Sequence, residues 1–294
     1  MHISEFDYQL PEELIAQQPL ERRDASRMLV VDRARQTWTE SNFTSFPELV
    51  RAGDVIVINN TRVFPARLLG HRDPSGGRVE LLLLREIEPT LWDALVRPAD
   101  RLIEGARVRF GDSSLRAEVV GCSPGGVRQL KFAGDTPLDL LIDEVGQTPL
   151  PPYIKRTGGS FETDKARYQT MFAREKGAIA APTAGLHFTP EIIAAMRDRG
   201  AQTVEITLHV GYGTFEPVRA ENIDEHKVAA EFFNITEAAA KVINEARAAG
   251  GRVIAIGTTT TRALETAATA DGIVKARNEA TELTIKPGYK FRAV

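Results

Sequence analysis

The sequence predicts an α/β layered domain with a small all-β barrel domain inserted into it. Three observations carry this expectation. Buried strands and capped helices alternate from Pro151 onward, the pattern of a layered sheet with parallel pairs. A buried strand, Asp54–Ile58, stands near the N-terminus, apolar after its first residue. Between the two, from about Phe64 to Leu150, the chain breaks into short β-rich runs at close spacing, which suggests a separate barrel or sandwich. The expected organisation is a discontinuous α/β domain of residues 1–63 and 151–294, and a barrel of residues 64–150.

Near the N-terminus, Pro11–Gln17 reads as a short helix and Met28–Val31 as a strand. DVIVI is bounded by Gly53 and the turn signal Asn59–Asn60. The runs RVELLLLRE, RVRFG, RAEVVG and VRQLKF are separated by DPSGG, GDSS and CSPGG, with a helix at Pro137–Glu144. Asp164–Arg174 reads as a helix. Thr189 is placed as an N-cap with Pro190 at the first helical position and Gly200 as the stop. VEITLHV is a strand. Thr236 caps a helix that sets Ala239, Val242, Ile243 and Ala246 on one face and stops at Gly250–Gly251. The apolar run RVIAIG then leads into TTTTRALETAA, a strand followed by a helix.

With 294 residues, 43% hydrophobic and 26% charged, the chain can bury a core. No apolar run approaches the roughly 20 residues needed to span a bilayer, and the polar, acidic N-terminus has no signal-peptide pattern. Cys122 is the only cysteine, which excludes an internal disulfide and a multi-cysteine metal site; the five histidines show no ligand-pair spacing, so no metal is expected. A cytoplasmic protein without membrane contact is the expectation, and a monomer, since no exposed heptad stands out. The net charge of −3 does not advertise nucleic-acid binding. Charge is nevertheless uneven: residues 153–176 hold six basic side chains against three acidic, whereas Glu221, Asp224, Glu225 and Glu231 face only Lys227 over residues 221–231.

Four stretches can carry chemistry. In VIAIGTTTTRALE a strand meets a helix through a run of hydroxyls, so free backbone N–H groups, the helix dipole and Thr258, Thr259 and Thr260 form an anion site that Arg262 can close; plain helix capping is the alternative. In VEITLHVGYGTF, alternation separates His209 from the apolar face of Val204, Ile206, Leu208 and Val210. Gly211 and Gly213 flank Tyr212 and let a ligand approach the backbone; a structural strand-end histidine is the alternative. In GAIAAPTAGLHFTPE, Pro182, Gly185 and the cap Thr189 fix a turn that delivers His187 to a helix N-terminus, where the dipole favours the neutral imidazole. A histidine that fills the turn is the alternative there. The loops ERRDASRM and NNTRVFPARL bring Arg22, Arg23, Arg27, Arg62 and Arg67, suited to phosphates or to ordinary surface pairs.

These stretches, with FDYQLPEELIAQQPLERRDASRML, LPLPPYIKR, RYQTMFAREKGAIAAPTAGLHFT and PGYKFR, resemble the S-adenosylmethionine:tRNA ribosyltransferase-isomerase family of queuosine synthesis, in order from residue 6 to residue 292. The resemblance implies an α/β domain with an inserted barrel, and S-adenosylmethionine as a co-substrate with no tightly bound cofactor. The ribosyl portion is moved and isomerised onto the aminomethyl group of a 7-deazaguanine at the tRNA wobble position. Epoxyqueuosine, adenine and methionine are the products. For this chemistry the neutral-imidazole argument above leads us to expect acid–base and positioning roles at His187, His209 and Tyr212. Donor binding is directed to Thr183, Gly185, Gly211, Gly213, Thr258, Thr259, Thr260, Arg262 and Glu231. Contacts to the anticodon loop are expected at Arg22, Arg23, Arg27, Arg62, Lys155, Arg156, Arg167 and Lys176. There are two departures from the family pattern. Ala229 stands where the family has a second histidine in the stretch His226–Glu231, and the family continues beyond PGYKFR with a block containing Asn-Phe-His-Leu-Pro, so a further C-terminal segment is expected beyond Val294. Without the resemblance, a hydrolase using the strand–TTTT–helix junction as a phosphate cradle and a non-catalytic RNA-binding module both fit the pattern.

Overall fold

The computed structural model describes residues 1–156 and 161–294. The chain forms two compact units: Met1–Arg62, Pro152–Lys155 and Gln169–Val294 make one, and Val63–Pro151 with Arg156–Tyr168 make the other.

The first unit is built on a five-stranded mixed sheet in the order Val253–Ala255, Val55–Asn59, Gln202–Leu208, Glu231–Ile235, Arg277–Thr281. All five residues of Val55–Asn59 are buried, as a strand with parallel neighbours on both sides requires. It pairs in parallel with Gln202–Leu208 (Val55 opposite Gln202) and with Val253–Ala255 (Val55 opposite Val253). The two remaining strands are antiparallel. Asp54 sets the start of the central strand: its buried carboxylate accepts from the Arg51 and Arg252 backbone N–H groups and from Arg252 Nε at 3.1 Å.

On one side, Ile56 and Ile58 pack with Phe43, Phe172, Phe188, Ile192 and Met196 into a core cluster. Each such burial contributes about 1.5–3 kcal/mol relative to exposure. The helix Pro190–Asp198 carries Ile192 and Met196 into this cluster; Thr189 Oγ1 caps it by accepting from Ile192 N, and Gly200 turns the chain at φ 84°. The helices Glu237–Ala248 and Thr258–Ala267 complete the layers, the first capped by Thr236 Oγ1 accepting from Ala239 N at 3.1 Å. Near the C-terminal end of the second, buried Glu265 accepts from the backbone N–H groups of Arg292, Ala293 and Val294, which holds the final residues against the helix. A hairpin of Arg27–Asp32 and Thr37–Asn42 stands outside the main sheet.

The second unit is a closed six-stranded antiparallel barrel, ordered Val127–Ala133, Leu91–Arg97, Arg78–Glu88, Arg67–Asp73, Arg107–Arg109, Arg116–Cys122. Val79, Leu81 and Leu83 alternate into its interior as the period of 2 demands. At Gly70 a Cβ would lie 2.7 Å from Val108 Cγ1, so the closing strands meet where the chain has no side chain. The fold is thus an α/β domain with an inserted barrel.

Two elements differ from the sequence reading. The segment Pro11–Gln17 forms only a single 3-10 turn, Glu12–Leu14, with no buried residue to support a longer helix. The helix expected over Asp164–Arg174 runs Phe161–Arg167 and groups with the barrel rather than with the α/β unit. Beyond it, buried Thr170 takes the Phe172 N–H on its hydroxyl and the Ala173 N–H on its carbonyl, a local turn that competes with helix continuation.

Candidate active site

Because the strands Val55–Asn59, Gln202–Leu208 and Val253–Ala255 run parallel, their carboxyl ends open on the same side of the sheet. That is where doubly wound sheets bind ligands. They deliver, respectively, Asn59 with Thr61, His209, and Gly257 with the start of the helix Thr258–Ala267. The buried Asn59 side chain knits the three ends together. Its Oδ1 accepts from Leu208 N at 3.0 Å and Thr61 N at 3.1 Å, and its Nδ2 donates to Leu208 O at 2.9 Å and Thr259 Oγ1 at 3.4 Å.

His209 follows immediately on its strand, with its N–H held by Phe232 O at 2.9 Å. Its Nδ1 lies 2.7 Å from Thr61 Oγ1, and that hydroxyl donates to Glu175 O at 3.4 Å. When the Thr61 proton is directed to the Glu175 carbonyl, Oγ1 accepts from Nδ1–H, and in that tautomer the lone pair of the neutral imidazole lies on Nε2. Burial holds the His209 pKa below the ordinary imidazole value, opposed by the nearby Glu175 carboxylate. Gly177 lies against the ring face: a Cβ there would come within 2.8 Å of Cε1 and Nδ1.

The GAIAAPTAGLHFTPE stretch runs alongside, fixed by Ile179 N donating to Val210 O at 2.8 Å. Thr183–His187 forms a 3-10 turn, and a Cβ on Gly257 would lie 3.2 Å from Ala184 Cβ, so this turn abuts the start of the threonine helix. Gly185 sits over Thr170, where a Cβ would come 2.9 Å from Cγ2. His187 ends the turn, its Nδ1 3.3 Å from Ala184 O and its ring 5.3 Å from that of Phe43. No hydrogen bond links it with His209 or Tyr212 among the described residues.

At the helix start, Gly257 takes φ 90° and no side chain caps the first turn. Thr258 is exposed, whereas Thr260 is buried with its hydroxyl donating to Ile256 O at 2.9 Å. Only the outward part of the hydroxyl run therefore faces solvent. Arg262 takes a different place from the one expected. It is buried: Nε donates to Leu283 O at 2.9 Å, Nη2 to Thr281 O at 3.3 Å, and Nη1 pairs with Glu231 Oε2. Its role here is to hold Glu231 and the sheet edge, not to offer a free fork to an anion. Burial, the largest influence, pushes the Glu231 carboxyl up from its usual range, while the Gly211 N–H at 2.8 Å and Arg262 pull the other way. Gly211 then leads into the 3-10 turn Tyr212–Phe215, where Tyr212 packs edge-on to Phe215 at 6.4 Å.

Of the basic residues, Arg22 makes a two-point pair with Asp24, Lys155 Nζ reaches Glu12 at 2.7 Å, and Arg156 is clamped by Asp164 within the barrel unit. Arg23 donates to Leu186 O at 3.3 Å, on the His187 turn. Arg27, Arg62 and Lys176 are exposed, and Arg167, in the barrel unit, is half-buried. Among the described residues, no group of three or more His, Cys, Asp or Glu side chains is placed to hold a metal ion, and no helix is long and apolar enough to cross a membrane. Asn59 and Thr61 are the residues that sequence reasoning missed. The Asn59–Asn60 pair reads as a turn signal, and only the convergence of three strand ends makes it a junction.

An α/β sheet with histidine, threonine and glycine gathered at its parallel carboxyl ends, in a chain that also forms a closed barrel, defines a two-unit protein with a candidate site at the strand ends. A sequence profile described as "queuosine biosynthesis protein" matches residues 3–294, and the chain belongs to that family. The S-adenosylmethionine:tRNA ribosyltransferase-isomerase of Moorella thermoacetica is 48% identical over 295 residues, 100% of this chain and 85% of that protein. Its namesake from Caldanaerobacter subterraneus is 48% identical over 294 residues, with the same coverage. The crystal structure of the S-adenosylmethionine tRNA ribosyltransferase of Thermotoga maritima is 33% identical, covers 99% of this chain and 82% of that one, and superposes with a TM-score of 0.48.

Proposed function

We propose that this protein is an S-adenosylmethionine:tRNA ribosyltransferase-isomerase, a tRNA-modifying enzyme. It transfers the ribosyl portion of S-adenosylmethionine to a 7-aminomethyl-7-deazaguanine at the wobble position and isomerises it to give epoxyqueuosine, with release of adenine and methionine. Support comes from the family membership and the names of full-length relatives. The single structural observation that carries the chemistry is the Thr61–His209 pair at the carboxyl ends of the parallel strands.

The reaction asks for a base at an acidified C–H. The sulfonium makes the C5′ hydrogens of the donor ribose acidic, and a base must take one. His209 suits this step, because burial keeps it neutral near pH 7 and Thr61 leaves Nε2 as the lone-pair nitrogen. Adenine leaves more readily when protonated, and the aminomethyl nucleophile must be neutral to attack. His187 and Tyr212 are assigned to proton handling and base positioning, with Thr183, Gly185, Gly211, Gly213, Thr258 and Thr259 lining the approach. Glu231 and Thr260 shape the site from within. Arg27, Arg62 and Lys176 are assigned to tRNA phosphates, with the anticodon-loop base stacked on an aromatic such as Tyr212. No tightly bound cofactor enters this scheme, and the enzyme acts as a cytoplasmic monomer.

The test is incubation with labelled S-adenosylmethionine and tRNA carrying the deazaguanine precursor. Release of adenine and methionine that depends on that tRNA is the expected result. Adenine release indifferent to the tRNA points to a hydrolase instead, and tRNA binding without any release points to a non-catalytic module.

A further inference from the structure

Beside the residues at the strand ends lies a pocket of about 320 Å³ whose walls come from a single stretch, residues 213–229. Two carboxylates (Glu216 and Glu225), two cations (Arg219 and Lys227) and His226 line it, with Gly213 on the side towards Tyr212. Among the described residues none of these four charged side chains has a hydrogen-bond or ion-pair partner within the protein. Their neighbour Asp224 does not line the pocket and is matched, by Lys286 Nζ at 3.9 Å and the N-terminal ammonium at 3.6 Å. All four charges that face the pocket are thus unmatched among the described residues of the protein.

The stretch is also held in shape. Ile3 N donates to Glu221 O at 2.8 Å, Ile223 N to Met1 O at 3.0 Å, Val228 N to Thr284 Oγ1 at 3.2 Å, and Lys286 Nζ to Asp224 O at 2.8 Å. Gly213 and Ala229 close one wall so tightly that a Cβ on the glycine would lie 2.9 Å from Ala229 Cβ. Both signs of charge on a braced concave surface select the ligand class. A polyanion such as an RNA backbone would meet Glu216 and Glu225 in repulsion. A simple anion or cation would leave half of the charges unmatched. A small zwitterion matches both signs, and the volume falls in the roughly 300–1,000 Å³ range of small-molecule pockets.

We propose that this pocket binds an α-amino acid head group, namely the methionyl tail of S-adenosylmethionine, with Arg219 and Lys227 serving its carboxylate and Glu216 and Glu225 its ammonium. The assignment rests on the function proposed above. It supplies a carboxylate partner that buried Arg262 cannot be, since each of that guanidinium's three nitrogens is bonded inside the fold. Continuity with the strand-end site runs through the chain itself: Gly213 on the pocket wall, Tyr212 next to it, and Gly211 bonded to Glu231.

Calorimetric titration of the full chain with S-adenosylmethionine and with its decarboxylated analogue tests this. Wild-type protein should bind the intact donor about tenfold more tightly than the analogue, the worth of a charge-assisted contact. In Arg219→Ala and Lys227→Ala that preference should fall towards unity through loss of affinity for the intact donor alone. Unchanged affinity for the analogue then shows that the variants are folded. Equal wild-type affinity for the two ligands, or a preference kept in both variants, overturns the assignment while leaving the donor as substrate. Wild-type protein that binds no S-adenosylmethionine, with or without precursor tRNA present, overturns the proposed function and this pocket assignment together.

Discussion

The Thr61 hydroxyl lies 2.7 Å from Nδ1 of His209 and 3.4 Å from Glu175 O, so one threonine couples the ring nitrogen to a backbone acceptor. Replacing Thr61 with Val keeps the shape and deletes the acceptor for Nδ1–H. We expect kcat to fall about tenfold, the worth of one net hydrogen bond in the transition state, with KM for both substrates nearly constant. His209→Ala should cost about 10²–10⁴ in kcat, the span of a general base. Steady-state kinetics with precursor tRNA checks both, and full turnover in His209→Ala removes the ring from the chemistry.

The pH dependence follows from the direction of the His209 shift. Burial lowers its pKa from the ordinary ~6.5, so the folded protein holds fewer protons here than the unfolded chain does. The stability linked to this ring is therefore present above about pH 6.5 and lost as pH falls through the folded value. Activity that needs the neutral ring should be level around pH 7 and decline only below that. The Glu175 carboxylate opposes the shift, so Glu175→Gln should move the acid limb of log kcat/KM to lower pH. A limb that stays in place, or moves up, contradicts the assignment.

Much of this arrangement was legible in the sequence, and what was not has a common cause. DVIVI announced a buried strand because a strand with parallel neighbours on both sides must be apolar on both faces, whereas VEITLHV was legible by its alternation and RVIAIG by an apolar run that lies half-buried at the sheet edge. Thr189 and Thr236 announced their helices because a hydroxyl at that position satisfies an N–H that the first turn leaves free. The assignment of Arg262 to an anion failed as local reading: nothing near TTTTRALE in sequence shows that Glu231, Thr281 and Leu283 converge on its guanidinium. Asn59 and Thr61 escaped notice for the same reason, since their partners Leu208, Thr259 and His209 are about 150 to 200 residues away in the chain.

The buried Arg262–Glu231 pair should behave asymmetrically. Arg262→Ala strands a carboxylate that is only 4% exposed, and we expect a loss of about 3–5 kcal/mol in denaturant unfolding. Glu231→Gln keeps an acceptor for the Gly211 N–H, and the double variant Glu231→Gln with Arg262→Met should recover much of the loss, because no lone charge stays buried. A double variant no more stable than Arg262→Ala contradicts this account.

Gly177 offers a test of ring position without altering the ring. A Cβ there would lie 2.8 Å from two atoms of His209, and the imidazole is also tied to Thr61. In Gly177→Ala the ring must turn away and break that hydrogen bond. Activity should fall by at least the roughly tenfold expected for Thr61→Val, and combining the two substitutions should add little, because both remove the same contact. Additive losses in the double variant show that Gly177 serves another purpose.

Binding of tRNA should depend only modestly on salt. Arg22, Lys155 and Arg156 already have internal carboxylate partners in Asp24, Glu12 and Asp164, which leaves exposed Arg27 and Arg62 as the leading phosphate contacts. Each neutralised phosphate contributes about −0.7 to the slope of log K against log salt for single-stranded RNA and about −0.9 for duplex, so a few contacts give a slope of about −2 to −4. Arg62→Ala should weaken binding to all tRNAs alike and make the slope shallower by roughly one. A measured slope near −10 requires far more cations than these, and means that the internal pairs open to meet the RNA.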